Sequence, residues 1–561
     1  MVKAFDAWAL KKAEWQTELF APQPRRSELL KLSADWPLRN VKLQVHRNHS
    51  FELAASMMGP YAAFGGWRGE FAYSDYSDSL EFSTAGGPAD AELVWIDRTR
   101  YQGLDDTSFT HWLGQRIAHL RSLASGPILV MVCGGDSELE QKIAENTAPL
   151  PACLVAKLST VADKLGEAFY DRRAMALSGT ALSAGALVLV AREIACRWLP
   201  GALFPPIKAV ALDLDHTLYD GVLGEDGADG VQMTRGRHEL QTYLKNLKKG
   251  GVFLALVSRN ELEDVQHLFE VRRDFPLQWS DFSAIAVSWG SKGAGIASAA
   301  EKLRISPDAM LFVDDNPGEL MSVSMHFPAL PLLHASSDAT ATIRTLEYYP
   351  GLWRWRGSRD DALRIDDLKA SEIRETLLTQ AGNEDEYFAN LEVSLELAID
   401  PVDRLARVTE LSQKTNQFNL ALRRISETNM MGFMSSDESA VVSVSLKDRL
   451  SDSGLVCIAV VRRSEGELLL HELCISCRAL GRRLENIMIG RALALAGRKL
   501  GKGEVRCEWR AGPRNGPALN WLRTESGDSL DGREGVAPIR IWESADSLPR
   551  GISVSVRGQH D

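Results

Sequence analysis

The segment VALDLDHTLYDGVLGEDG, residues 210–227, constrains this chain more than any other stretch. An apolar run ends there on Asp213 and Asp215, with Thr217 two residues further on. Period-two strand geometry directs Asp213 and Asp215 to the same side as the strand ends. Two carboxylates so close repel one another unless a cation or a shared proton offsets them. Open α/β sheets bind ligands at the carboxyl ends of their strands, which is where both acids lie. Three further apolar runs end in a similar way. VFLALVS (252–258) stops on Ser258, AIAVSW (284–289) is followed by a short turn to Lys292, and AMLFVDD (309–315) closes on Asp314 and Asp315.

At roughly 150 residues per domain, a chain of 561 residues predicts three or four folded units. No repeat of solenoid period and no low-complexity tract is present. Residues 1–200 carry strand-like runs at 41–45 (VKLQV), 91–96 (AELVWI) and 127–132 (PILVMV), separated by helical stretches, which predicts a parallel α/β sheet. Pro205-Pro206 then leads into the acid-bearing block, 201–357, a second α/β unit. A charged helical stretch, 358–386, reads as a connector. Residues 387–561 differ in texture: VVSVSL (441–446), LVCIAVV (455–461) and ELLLHELCIS (467–476) follow in quick succession before a helix at about 483–500. That pattern predicts an antiparallel meander in an α+β unit.

Charge and cysteine usage exclude several classes. There are 64 basic and 75 acidic residues, a net charge of −11, which argues against a general nucleic-acid binder. The longest apolar run, about 184–191, is too short to span a bilayer. The first residues, MVKAFDAWALKKAEW, read as an amphipathic helix without an apolar core and cleavage site. Seven scattered cysteines do not resemble a disulfide framework. Cys474 and Cys477 have CxxC spacing, but no second pair completes a zinc set. A soluble cytoplasmic protein, with no nucleic-acid or membrane partner, is the expectation.

The ordered set of strand-end residues in 207–327 resembles the haloacid-dehalogenase superfamily of phosphotransferases. The resemblance implies that Asp213 attacks a phosphoryl group to form an aspartyl-phosphate. Asp215 would protonate the leaving group and then activate water. Mg²⁺ would be held by Asp213, the Asp215 carbonyl and an acid from Asp314-Asp315. Thr217 and Ser258 would donate hydrogen bonds to phosphoryl oxygens, and Lys292 would offset developing negative charge. No room exists between the first two motifs for a large cap domain.

Two strings in the last block extend the resemblance, LSQKTNQFNLALRR (411–424) and CISCRALGRRLENIMIG (474–490). With YDGVLGEDG and FVDDNP they resemble the FkbH-like family across most of the chain. That family combines a degenerate SGNH-hydrolase-like N-terminal region, a capless Rossmann-like phosphatase domain and a GNAT-type acyltransferase domain. The resemblance implies transfer of a glyceryl group from 1,3-bisphosphoglycerate to the phosphopantetheine thiol of an acyl carrier protein for polyketide assembly, through an enzyme cysteine thioester. The chain departs from the family pattern at Tyr219-Asp220 and at Gly318-Glu319-Leu320, positions that border the phosphate site, so another acyl phosphate is the alternative substrate.

Cys477 ends a strand and precedes Arg478, Gly481, Arg482, Arg483 and a helix. A glycine-containing turn into a helix start cradles phosphate, and arginines add charge, so these four residues are candidates for holding the pantetheine arm. A thiol in that setting is expected to ionise more readily and to act as the nucleophile; the alternative is a small core residue. Lys414, Asn416 and Asn419 in KTNQFN, read as surface-forming, and Asn515 in GPRNGPALNWL are candidates for touching the acyl substrate, against turn or cap roles. At the N-terminal end, VHRNHSFE replaces the Gly-Asp-Ser of SGNH enzymes with Asn48, His49 and Ser50, CGGDS (133–137) reads as a turn, and WRGEFAYSDYSD (67–78) as a packed surface loop, the alternative being aromatic residues that line the phosphatase entrance. Arg462, Arg463, Arg478, Arg482, Arg483, Arg491, Arg498, Lys499 and Lys502 crowd one stretch, a basic patch suited to an acidic carrier protein, or an ordinary solvated helix face. Two rivals stand beside the acyltransfer reading: a plain phosphatase with a partner-recognition C-terminus, and a non-catalytic docking module.

Overall fold

The computed structural model describes residues 2–85, 87–171, 173, 175–355, 359–464, 466–501, 503–539 and 548–558. The chain divides into two compact units, Met1–Gly357 and Ser358–Asp561.

The first unit holds two parallel sheets. One comprises β1 (Arg39–Arg47), β2 (Trp67–Tyr76), β3 (Ala91–Asp97), β4 (Ile128–Cys133) and β5 (Cys153–Val155), in the order β2-β1-β3-β4-β5. Every residue of β3 and β4 is buried, as a sheet covered by helices on both faces requires. Strand β2 is the segment expected to be a loop. Its alternation of Trp67, Phe71 and Tyr73 with polar residues is that of an edge strand, and it pairs in parallel from Arg39↔Trp67 onward. The apolar signal is diluted because one face of an edge strand meets water.

The second sheet comprises β6 (Ala209–Leu212), β7 (Phe253–Ser258), β8 (Ala284–Val287), β9 (Met310–Asp314) and β10 (Leu332–His334), ordered β10-β9-β6-β7-β8. Strands β6, β7 and β9 are entirely buried, so the polar residues that end them are held on a rigid platform. One apolar core runs from Trp15 to Leu352 and takes in residues from both sheets. The initial helix, Val2–Leu19, contributes to it and also ties to β10: Gln16 donates to the His334 carbonyl at 2.9 Å and accepts from the His334 amide at 3.0 Å. The blocks read as 1–200 and 201–357 therefore keep separate sheets but share one core.

The second unit is built on β11 (Val393–Ile399), β12 (Phe418–Asn419), β13 (Ser439–Lys447), β14 (Asp452–Ser464), β15 (Glu467–Ile475), β16 (Val505–Arg510), β17 (Glu534–Ile539) and β18 (Ile552–Val556). β13, β14 and β15 form the expected antiparallel meander, and the helix Glu485–Leu500 follows. Strand β15 runs parallel to β16 only at Leu468–Leu470; further along, its edge is taken by Phe418 and Asn419 of β12. The stretch read as a connector, 358–386, makes buried contacts within this unit. In the helix Arg359–Gln380, Asp367 and Arg374 are buried against Asp448 and Arg482 of the same unit. Residue 358 itself lies outside the described residues.

Candidate active site

The carboxyl ends of β6, β7 and β9 meet at one point. Asp213 follows β6 and is anchored by its own amide, which donates to the Val313 carbonyl of β9 at 3.0 Å. Asp314 ends β9, and Asp315 comes next. One carboxylate oxygen from each of Asp213, Asp314 and Asp315 lies within 4.8 Å of the others. Lys292 is the first residue of the helix Lys292–Lys302, whose start is capped by Ser291 accepting from the Ala294 amide. That helix start delivers the ammonium into the cluster, 2.9 Å from Asp213 and 2.5 Å from Asp314. Asp314 is fully buried, and Asp213 and Lys292 nearly so.

The electrostatics follow from this crowding. Burial raises the Asp213 carboxyl above its ordinary value against the pull of Lys292. Burial, followed by the neighbouring Asp213, pushes Asp314 up to about 7. Burial alone would lower Lys292, but the two acids outweigh it and hold the ammonium above its ordinary value. One cation faces three carboxylates, so the donor set is short of positive charge. A hard divalent ion with oxygen ligands fits that deficit.

Asp215 is directed elsewhere than to the cluster. The strand ends at Leu212, so both acids lie on the turn beyond it, and strict strand alternation does not apply to them. The Asp215 carboxylate accepts from Tyr219 Oη at 2.7 Å and the Leu223 amide at 2.9 Å on one oxygen, and from Asn260 Nδ2 at 3.0 Å on the other. Asn260 also donates to Ser258 Oγ at 3.1 Å, tying the ends of β6 and β7 together. Asn260 was not singled out in the sequence; its only signal is its place two residues after Ser258. The Ser258 hydroxyl reaches Asp213 and favours its charged form. Thr217 is completely buried, and its hydroxyl has no partner among the described residues. Its carbonyl instead accepts from Arg237, which is buried and also pairs with Asp220 at 2.9 Å. Tyr219 and Asp220 thus brace the turn through Asp215 and Arg237.

In the second unit Cys477 is half-buried and unpaired. Two of the three arginines expected beside its thiol, Arg478 and Arg482, point inward. Arg482 is buried and grips Asp367 through both oxygens at 2.7 and 2.8 Å. Arg478 is also buried and donates to Ser476 Oγ and to the Leu455 carbonyl. Arg483, in the left-handed region at φ 59°, pairs with Glu384 at 3.1 Å. Gly481, also left-handed at φ 75°, gives its amide to Glu485 Oε1 at 2.7 Å, a bond from the turn to the first residue of the helix. Of the four residues expected to cradle pantetheine, Arg478 and Arg482 are buried and answered internally, as buried charge demands, whereas Gly481 and Arg483 stay exposed.

The acyl-substrate candidates are corrected on similar grounds. Asn419 and Asn515 are fully buried. Asn419 donates to the Ser412 carbonyl and accepts from the Leu422 amide. Asn515 donates to the carbonyls of Asn419 and Arg510 and accepts from the Gly512 amide. Asn416 accepts from Arg424, and Lys414 pairs with Glu410 at 2.8 Å. Within KTNQFN, Phe418 and Asn419 are buried, Lys414, Thr415 and Asn416 are half-buried and Gln417 is exposed. The basic patch thins as well: besides the inward arginines, Lys499 pairs with Asp400 at 2.7 Å and Arg463 bonds the Leu500 carbonyl. Lys502 lies outside the described residues.

In the N-terminal sheet Asn48 bonds the Asp97 main chain, His49 stacks on Trp95 with ring centroids 5.0 Å apart, and Ser50 donates to Glu52. Ser50 therefore faces a carboxylate with no histidine base. Asp136 of CGGDS caps the helix Ser137–Thr147, a structural turn.

No protein-family model matches the chain, and no curated protein is similar to it at a significant level. Among solved structures it is similar to the N-terminal part of BF1531 from Bacteroides fragilis, which contains a phosphatase domain and was crystallised with Mg. Identity is 18%, with 61% of this chain and 99% of that one covered and a TM-score of 0.47. Nourseothricin acetyltransferase matches at 18% identity over 18% of this chain and 66% of that one, with a TM-score of 0.14. A GCN5-related glucosamine N-acetyltransferase region of a fungal multi-domain GH3 beta-N-acetylglucosaminidase matches at 12% identity, over 91% of this chain and 65% of that one, TM-score 0.16. Likeness at these levels assigns no activity to this chain. Among the described residues, no helix is long and apolar enough to cross a membrane.

Proposed function

We propose that the chain is a Mg²⁺-dependent phosphatase that also transfers the acyl group of its substrate. The observation that carries the first half is the convergence of Asp213, Asp314 and Asp315 within 4.8 Å around the Lys292 ammonium. An Asp213 oxygen attacks phosphorus while the bond from phosphorus to the leaving oxygen breaks; Asp215 supplies that oxygen with a proton. Asp215 then takes a proton from the water that hydrolyses the aspartyl-phosphate. Lys292 and Ser258 hold the phosphoryl oxygens as charge develops. Asp213, the Asp215 carbonyl and the Asp314-Asp315 pair would hold Mg²⁺, which when bound neutralises the phosphoryl group and the crowded acids.

The second half rests on the resemblance to the FkbH-like family and on the partial exposure of Cys477. In that reading the SGNH-like sheet is inactive, the last unit is GNAT-like, and glyceryl from 1,3-bisphosphoglycerate passes through a Cys477 thioester to an acyl carrier protein. The inward arginines and main-chain-bound asparagines favour a second reading, a phosphatase whose last unit recognises a partner. Incubation of the full chain with Mg²⁺, 1,3-bisphosphoglycerate and holo-carrier protein separates them. Phosphate release with a glyceryl mass on the carrier, abolished by Cys477→Ala, supports the acyltransferase. Phosphate release with no adduct on either protein leaves the phosphatase, and unchanged release by Asp213→Asn overturns both.

A further inference from the structure

A cavity of about 460 Å³ lies in the first unit, away from the carboxylate cluster, between the end of β5 and the segment 353–355. That volume falls in the range of small-molecule sites, roughly 300–1,000 Å³. Its apolar wall is three indoles, Trp198, Trp353 and Trp355. The rings are fixed rather than free to collapse. Trp353 and Trp355 meet edge to face, with centroids 4.9 Å apart at 76°. Trp355 Nε1 donates to the Trp198 carbonyl at 2.9 Å. Both rings also press on Gly201, where an added Cβ would come within 3.1–3.2 Å of them. Trp353 and Trp355 nevertheless remain partly exposed, and apolar ring surface left in water is costly.

The lining is also cationic. Lys157, Lys164 and Arg197 belong to it, with Glu193 as its one acid, a net lining charge of +2 in a chain of net −11. Arg197 is already answered by Glu193 at 3.1 Å and stacks 4.0 Å over Tyr348. The lysines are held less tightly. Lys164 is half exposed, 3.9 Å from Glu193 and donating to Tyr348 Oη at 3.3 Å, and Lys157 is exposed and makes no ion pair among the described residues. Indoles and loosely held ammonium groups lining one cavity suit one kind of ligand, a planar aromatic ring carrying an anionic group.

We propose that this cavity binds such a ligand, of the size and chemistry of a nucleoside phosphate, at a site separate from the carboxylate cluster. The ring lies against Trp353 and Trp355, and the anion meets Lys157 and Lys164. The proposal does not depend on what the carboxylate cluster does.

The test is isothermal titration of the full chain with ADP, without divalent metal. Saturable binding is expected, with adenosine and pyrophosphate each at least about tenfold weaker, since each lacks one half of the recognition. The double substitution Lys157→Glu/Lys164→Glu, at surface positions that the fold tolerates, is expected to weaken ADP at least about tenfold, and Trp353→Leu to weaken both ADP and adenosine. Asp213→Asn is expected to bind ADP normally. No saturable binding up to millimolar ADP, unchanged affinity in the lysine double variant, or loss of binding in Asp213→Asn would each overturn the assignment, the last by placing the ligand in the carboxylate cluster.

Discussion

Replacing Asp367 by asparagine tests whether the helix Arg359–Gln380 is a structural part of the second unit. Asp367 and Asp448 face Arg374 and Arg482, all four side chains no more than 6% exposed, so the cluster is neutral and dry. Asp367 accepts from Arg482 at 2.7 and 2.8 Å and from the hydroxyls of Ser451 and Ser453 at 2.7 Å each. Burial alone would raise its pKa, but Arg482, Ser451 and Arg374 together hold it below the ordinary carboxylate value. Asp367→Asn keeps the shape and removes one charge, leaving two guanidiniums to share Asp448. Breaking a buried pair in this way costs about 3–5 kcal/mol, because the surviving charge stays buried.

Because the chain has two units, hydrogen exchange within β13 and β14 of the full-length protein is a cleaner measure than one global unfolding curve. A loss of 3 kcal/mol corresponds to roughly 10²-fold faster exchange. Arg482→Met is expected to cost a similar amount, and the charge-balanced pair Asp367→Asn/Arg482→Met less than the sum of the two. The pH dependence has a definite sign. A depressed folded pKa stabilises above the unfolded value near 3.8 and is lost as pH falls below it, so acidification should penalise the native protein more than the variant. A cost under about 1 kcal/mol for Asp367→Asn, or strict additivity in the double variant, would refute the reasoning.

The other predictions concern single groups. Glu472 is fully buried, and burial pushes its carboxyl from 4.5 up to about 7, so its contribution is present below pH 4.5 and lost as pH rises through 7. Glu472→Gln keeps an acceptor for the Arg423 amide and should therefore stabilise the second unit at pH 8 by up to about 3 kcal/mol; exchange rates that are unchanged at pH 8 would contradict this. Lys292→Met removes the only cation that pairs with Asp213 and Asp314 among the described residues and should lower phosphate release about 10²-fold or more, measured with Mg²⁺ saturating; a near-native rate would be incompatible with its placement. Asn260→Ala frees one oxygen of Asp215 and the Ser258 hydroxyl, and should lower kcat by about tenfold with far less change in KM, whereas a change confined to KM would assign Asn260 to substrate binding.

Sequence alone located the buried strands of both parallel sheets and the meander, because continuous apolar runs of four to seven residues have few other homes. It also marked Asp213, Ser258, Lys292, Asp314 and Asp315, because a strand end followed by a charged or hydroxyl residue is a local pattern. It missed β2, whose edge position exposes one face, and Asn260, whose role lies in a bond across two strands. Above all it could not say which way a side chain faces. Arg478, Arg482, Asn419 and Asn515 carry the residue types of a ligand site, yet each is consumed by a partner far along the chain: Asp367 lies 115 residues from Arg482, and the Asn419 carbonyl 96 residues from Asn515. A buried polar group must be paired by whatever the fold brings next to it, and that neighbour is a property of packing, not of local sequence. The strand-end acids escaped this ambiguity because strand direction alone carried them to a common edge, and packing only had to supply Lys292.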